Sequence, residues 1–297
     1  MPAVRLPKAL EATHPPPMPR PLSVATATPY LGKLMTSPTN RLTAPRQVAL
    51  VTGAADRIGA DIARALAGKG YGVVIHHRGR VDEARTLAAE ITAGGGRAAL
   101  VKADLVTRRQ RAALIARAAK LLGPLTVLVN NASSFEPDAL IDLDEQLWDR
   151  HLAIHAEAPA FLARDFAAQL PPGANGNIIN IIDERVLKLT PNYFSYTLSK
   201  SLLWTMTRTM AQSLAPRIRV NAVGPGPTLR EAGQSAAAFR KSQAAAPLGY
   251  GADAGDVAEA VLYLLRAKSV TGQMIAVDGG RHLDFPEKRG PTPRRVK

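Results

Sequence analysis

The feature that most constrains this chain is a regular alternation running from residue 47 to about 280. Short β-branched runs are followed by longer amphipathic stretches. QVALVT (47–52), GVVIHH (72–77), RAALVKADL (97–105), LTVLVNNA (125–132), GNIINII (176–182), IRVNAV (218–223) and QMIAVD (273–278) read as seven buried strands. Between Ile58 and Lys69 the apolar Ile58, Ile62, Ala65 and Leu66 follow helical spacing. Further helices are expected over 107–122, 145–169, 195–214 and 253–266. Strands that alternate with helices pair in parallel, because the helix is the crossover that brings the chain back to the same end of the sheet. Right-handed crossovers then give a doubly wound α/β fold, a seven-stranded, mainly parallel sheet with helices on both faces.

Composition bounds what that fold can be part of. A chain of 297 residues, 46% hydrophobic, holds one such domain over 46–286. Ten of the 23 prolines fall in 1–45, which has no helical or strand periodicity and is expected to be an extended or disordered N-terminal extension. It is acid-poor, as transit segments are, and translation starting at Met35 is an alternative reading. Residues 287–297 are expected to form a flexible basic tail. The net charge of +14 raises the possibility of a nucleic-acid or membrane partner. Most of that excess sits in the two ends, so no nucleic acid and no membrane is expected. No apolar run approaches the roughly 20 residues of a membrane span. With no cysteine the chain has neither disulfides nor thiolate metal sites, which suits a reducing, cytoplasmic setting. No His/Asp/Glu group has metal-ligand spacing, so no metal is expected.

The first strand runs into VTGAADRIG (51–59) and then a helix. Gly53 permits a tight turn and Gly59 a close helix–strand approach. The N-terminus of the following helix offers unpaired N–H groups to a pyrophosphate. Two glycines alone also describe an ordinary strand-to-helix turn; the position between strand and helix favours the Rossmann-type dinucleotide site. The second strand ends in His76-His77-Arg78, with no acid until Asp82. An acid there would accept from the ribose hydroxyls of NAD, whereas arginine can bind a 2′-phosphate, so NADPH is the expected cofactor. Later, Tyr196-Thr197-Leu198-Ser199-Lys200 places a phenol and an ammonium on one helix face. A cation beside a phenol favours phenolate, which would lower the phenol pKa toward a useful range for proton transfer.

Taken together, TGAADRIG (52–59), Asp104-Leu105, Asn130-Asn131-Ala132, YTLSK (196–200) and Gly224-Pro225-Gly226 resemble the short-chain dehydrogenase/reductase family over residues 47–280. The resemblance implies a catalytic Tyr196 and Lys200, with Lys200 also holding the nicotinamide ribose. It implies cofactor contacts from Gly53, Arg57, Ile58, Gly59, His77, Arg78, Asp104, Leu105, Asn131, Ala132, Ser133, Pro225 and Gly226. It also implies a homo-oligomer, usually a tetramer.

Two departures from the common family pattern point to one branch. The family usually has serine 13 residues before the tyrosine; here it is Asp183, in IIDERV. Arg57 stands where many members have a small residue. Both, with His77-Arg78 and NNASSF (130–135), look like the pteridine reductases and the bacterial dihydromonapterin reductases. That implies catalytic Asp183 and a pterin bound by Arg57, Ser133, Phe135, Asp183, Tyr193 and Tyr196, with Phe135 stacking on the ring. The same residues have plainer readings: Phe135 as a core aromatic, Asp183 as a turn cap or partner of Arg185, Ser133 as a backbone partner. His76 reads as a strand-end residue. His155 falls where the family places an asparagine that completes a proton relay. The expected activity is NADPH-dependent hydride transfer to a dihydromonapterin or dihydrobiopterin type of substrate. The alternatives are a ketone or 3-oxoacyl thioester reductase, and a dinucleotide-binding regulator without turnover.

Overall fold

The computed structural model describes residues 47–230 and 233–283; the N-terminal extension and basic tail lie outside the described residues. Seven strands form one sheet: β1 (Val48–Val51), β2 (Gly72–His77), β3 (Arg97–Lys102), β4 (Val127–Asn130), β5 (Gly176–Ile181), β6 (Ile218–Pro225) and β7 (Met274–Val277). Their order is β3-β2-β1-β4-β5-β6-β7, and every pairing is parallel. Every residue of β1, β2 and β4 is buried, as a sheet covered on both faces requires.

Among the described residues, eight α-helices accompany it: α1 (Arg57–Gly68), α2 (Val81–Ala93), α3 (Arg108–Leu122), α4 (Glu145–Leu152), α5 (Ala158–Gln169), α6 (Phe194–Leu214), α7 (Ala236–Ala244) and α8 (Ala254–Arg266). One core joins α1, α2 and α8 to the sheet through Ile62, Leu66, Leu87 and Val261. The other joins α3, α5 and α6 through Leu114, Ile115, Leu162, Phe166 and Ala211. Phe166 is fully buried against Gly176, where a Cβ would come within 2.9 Å of its ring. Truncating such a ring costs about 3–5 kcal/mol.

Three expectations need correction. The helix expected over 145–169 is two helices, α4 and α5, joined by a π-helical turn at Ala153–Glu157. Pro159, at the start of α5, has no N–H to give the His155 carbonyl, so the i→i−4 ladder breaks there. Helices α2 and α7 were not anticipated, because their apolar faces are thin: α2 buries only Ala84, Leu87 and Ile91, and α7 buries none. Strands β3 and β4 end before 105 and 132. Past those ends the backbone leaves the ladder for side chains, Asp104 N–H donating to Gln110 Oε1 and Asn131 and Ala132 N–H to Thr52 Oγ1.

The chain winds outward from β1 to β3, then returns to β4. The order reverses between β1 and β4, and beyond their carboxyl ends a fold of this kind has its ligand crevice.

Candidate active site

Thr52, Gly53, Asn131 and Ala132 meet at that reversal. Thr52 Oγ1 accepts from the Asn131 and Ala132 N–H groups at 2.9 and 3.0 Å. The Asn131 amide donates to the Thr52 and Gly53 carbonyls at 2.8 and 2.9 Å. Gly53 has φ +60, and a Cβ there would lie 2.9 Å from Ala132 Cα. A Cβ on Gly59 would strike the Gly53 carbonyl and come within 2.5 Å of Asn131 Nδ2. The loop therefore lies tight against β4. Helix α1 has no side-chain cap and no acid in its first turn, so its N-terminal N–H groups remain available to an anion. Ile58 lies half-buried in that turn. Arg57 begins α1 with φ +54, and its guanidinium donates to the Arg230 carbonyl at 3.1 Å. It bridges the glycine loop to the segment after β6.

His76 is more than a strand-end residue. Its Nδ1 accepts from Gly53 N–H at 3.0 Å, and its Nε2 pairs with the Ala103 carbonyl at 3.1 Å. Since a carbonyl only accepts, Nε2 carries the ring proton. Burial pushes the His76 pKa down to about 4. Next to it, His77 is buried with no partner for Nδ1, and burial followed by the charges of Lys102 and Arg85 lowers its pKa. Arg78 is exposed at the same strand end. Asp104 and Leu105 follow β3 in the adjacent loop, Leu105 buried and Asp104 accepting from Val106 N–H at 3.1 Å.

The second cluster sits beyond β4 and β5. Tyr196 donates its phenol proton to Asp183 Oδ2 at 2.8 Å. Asp183 Oδ1 accepts from Arg185 N–H at 2.9 Å, so the aspartate caps its turn and meets the tyrosine at once. Lys200 Nζ donates to the Ile181 carbonyl at 2.9 Å and lies 5.6 Å from the Tyr196 ring centre. The expected lowering of the Tyr196 pKa is not what the structure shows. Burial, then the Asp183 carboxylate, push the phenol well above its usual value. Burial also raises Asp183 and lowers Lys200 to about 8. Low polarity disfavours charge on all three groups, and the ammonium is directed at a carbonyl rather than at the phenol oxygen.

Phe135 and Tyr193 stack at 4.5 Å, and Phe135 meets Tyr196 edge-on at 4.7 Å. Phe135 is thus part of the site wall, not of either hydrophobic core. Arg185 lies over Tyr193 at 4.5 Å and over Phe135 at 5.6 Å. Tyr193 is left-handed at φ +59 and immediately precedes α6, whose first N–H groups are capped by Asp138 from the β4 loop. Pro225 ends β6, and Gly226 just after it leaves room for Asp278, where a Cβ would approach within 2.8 Å. Asp278 in turn accepts from Gly280, His282 N–H and His282 Nδ1. Arg281 donates to the buried Glu184 at 2.8 Å, tying this C-terminal wall to the residue after Asp183. Burial raises Glu184 to about 7.

Below Tyr196 lies a pair of contacts that the sequence did not announce. His151 Nδ1 pairs with Ser195 Oγ at 2.7 Å, and His155 Nδ1 with Ser199 Oγ at 2.8 Å. His155 Nε2 also meets Ser133 Oγ at 2.9 Å. The signal was there to be read: two histidines four apart and two serines four apart, each pair on one helix face.

The glycine loop and the Asp183–Tyr196–Lys200 cluster thus line the carboxyl ends of neighbouring strands of one sheet. The comparisons with known proteins agree with this layout. The family profile described as enoyl-(acyl carrier protein) reductase matches residues 53–282. Pteridine reductase 1 of Leishmania tarentolae is 33% identical over 292 residues, covering 84% of this chain and 99% of the relative. A 3-oxoacyl-[acyl-carrier-protein] reductase FabG of Staphylococcus epidermidis is 31% identical over 240 residues, covering 79% and 98%. Among solved structures, FolM alternative dihydrofolate reductase 1 from Brucella suis, in complex with NADP, superposes with a TM-score of 0.79 at 46% identity, covering 81% of this chain and 97% of that one. The extent of these matches, over the same residues that build the crevice, places the chain in the short-chain dehydrogenase/reductase family.

Proposed function

We propose that this protein is an NADPH-dependent reductase of a pterin. One observation carries the reading: the Tyr196 phenol is hydrogen-bonded to a carboxylate, Asp183, where a ketone reductase needs a hydroxyl. A hydroxyl suits a ketone oxygen. Reducing a ring C=N bond requires a proton delivered to nitrogen, and a phenol–carboxylate pair holds one. The Phe135–Tyr193 wall suits a flat ring. Similarity to a pteridine reductase and to an alternative dihydrofolate reductase supports the same substrate class.

The residues present suit the cofactor. The uncapped N-terminus of α1 would take a pyrophosphate, and Gly59 lets the loop pack close enough on β4 to aim those N–H groups at it. His77 Nδ1, buried and unpartnered, and Arg78, exposed at the end of β2, would take the adenosine ribose and its 2′-phosphate. Asp104, Leu105 and Ala132 would flank the adenosine half; Asn131, Ser133, Lys200, Pro225 and Gly226 would hold the rest. When bound, NADPH supplies the hydride. Tyr196 holds the proton at its phenol oxygen, and its raised pKa keeps it there at neutral pH. Asp183 orients that phenol and shares its proton. Arg57, Ser133, Phe135 and Tyr193 would orient the substrate.

The second reading, a reductase of a ketone or 3-oxoacyl thioester, is favoured by the similarity to FabG. NADPH oxidation measured side by side with dihydromonapterin, dihydrobiopterin and a 3-oxoacyl thioester separates the two. Turnover confined to the pterins is the expected result; turnover of the thioester alone overturns the pterin reading. Tyr196→Phe should lower pterin turnover by about 10²–10⁴-fold while NADPH still binds.

A further inference from the structure

Ser133 is exposed at the mouth of the site, yet its hydroxyl touches a buried imidazole. The polarity of each hydrogen bond around that imidazole follows from counting protons. Ser199 has one hydroxyl proton, and its Oγ stands 2.7 Å from the Tyr196 carbonyl, which can only accept. The proton goes there. Toward His155 Nδ1, at 2.8 Å, Ser199 Oγ must then accept, so Nδ1 carries the ring hydrogen. His155 is 1% exposed, and burial keeps the ring neutral. Its Nε2 therefore has a lone pair and no proton. Ser133 Oγ at 2.9 Å and Ser134 N–H at 3.4 Å are its donors.

Ser133 has other acceptors for its proton. The Ser134 carbonyl is at 3.3 Å, and the Tyr196 phenol oxygen also draws on the hydroxyl. If the proton left Nε2, a buried ring nitrogen would keep only the 3.4 Å amide. An unmet buried acceptor costs about 1–3 kcal/mol, so the proton stays with the histidine.

We infer that His155 is a positioning residue that fixes Ser133 as a hydrogen-bond acceptor toward the ligand. It thereby selects a ring bearing N–H or NH₂ donors over a ketone oxygen at that position. The inference rests on the pterin reading and sharpens it. A pterin offers an amino group and ring N–H groups that Ser133 can accept from. A ketone or thioester carbonyl brings only lone pairs, and would have to take the Ser133 proton from His155. The π-helical turn at Ala153–Glu157 is what carries His155 to this place.

Two measurements test this. In ¹⁵N-histidine-labelled enzyme, the His155 ring should show the Nδ1–H tautomer, unchanged through neutral pH. In the NADP⁺-saturated enzyme, His155→Leu should weaken dihydrobiopterin binding about tenfold and leave an acetoacetyl thioester within about twofold. His155→Gln, whose amide can donate to Ser199 and accept from Ser133, should restore pterin binding to within about threefold. In a Ser133→Ala background, His155→Leu should add less than about twofold. An Nε2–H tautomer in an enzyme that reduces pterins overturns this inference alone. So does an equal loss for both ligands, or a tenfold loss that persists in Ser133→Ala. A wild-type enzyme that reduces the thioester and not the pterin overturns the pterin reading, and the selection with it.

Discussion

His76 makes a sharp prediction about acid. The ring is 2% exposed, joins the glycine loop to the end of β3, and has a pKa of about 4 against a usual 6.5. The folded state therefore keeps it neutral over a range in which the unfolded chain protonates it. Between about pH 6.5 and 4 the unfolded state binds the extra proton, so stability falls as pH falls. Each pH unit is worth about 1.4 kcal/mol, which makes the contribution of His76 about 2 kcal/mol between pH 7.5 and 5. Other buried histidines, His77, His151 and His155, also have lowered pKa values, so the wild-type slope alone does not isolate this one. The difference between wild type and His76→Gln does. Urea unfolding should show the variant less stable at pH 7.5 by about 1–3 kcal/mol, because Gly53 N–H and the Ala103 carbonyl lose a well-placed partner. At pH 5 the gap should shrink by about 2 kcal/mol, since glutamine does not titrate. A gap of constant size across that range would refute the reasoning. In the variant, NADPH should also bind more weakly, because the Gly53 turn loses its anchor.

Gly59→Ala places a Cβ against the Gly53 carbonyl and the Asn131 amide; it should cost about 1–3 kcal/mol of stability and weaken NADPH binding, both visible in thermal shift with and without cofactor. Arg78→Asp replaces a cation by an anion at the end of β2 and should move the NADPH/NADH ratio of kcat/KM toward NADH by about 10–100-fold; an unmoved ratio would count against a 2′-phosphate at this place. Lys200, lowered to about 8, is charged below that pH and neutral above it, so kcat/KM for reduction should fall as pH rises through about 8, and a flat profile would contradict that account.

Much of this fold is legible in the sequence. Periodicity located all seven strands, because the central ones are buried on both faces and even the half-buried β3 and β7 keep short apolar runs between helical stretches. Helices α2 and α7 escaped, because an exposed helix with few buried residues leaves little pattern. The break between α4 and α5 was visible as Pro159 but masked by an apolar pattern that continued through it. At the site, Tyr196 and Lys200 were legible because their types and spacing carry chemistry, and Asp183 because of the family resemblance at the position 13 residues before the tyrosine. The electrostatics were not. Spacing put Lys200 beside Tyr196, but only the fold shows that its ammonium is spent on the Ile181 carbonyl and that burial sets the phenol pKa. His76 looked like a strand end because a lone histidine gives no hint of which backbone groups it will satisfy.

The π-helical turn has a consequence for how such a chain can change. A π turn holds one residue more than the α-turn it replaces, and one residue on a helix is a rotation of about 100°. That extra residue uncouples the phase of α4, which presents His151 to α6, from the phase of α5, which seats Leu162 and Phe166 in the core. Packing and chemistry are therefore set by separate stretches of what looks like one helix. Loss of a single residue between 153 and 157 would return the turn to α geometry with α4 and α5 still in their own phases, and would exchange the side chain that reaches Ser133. On the inference that His155 fixes Ser133, chain length in this turn would set ligand preference as substitution does.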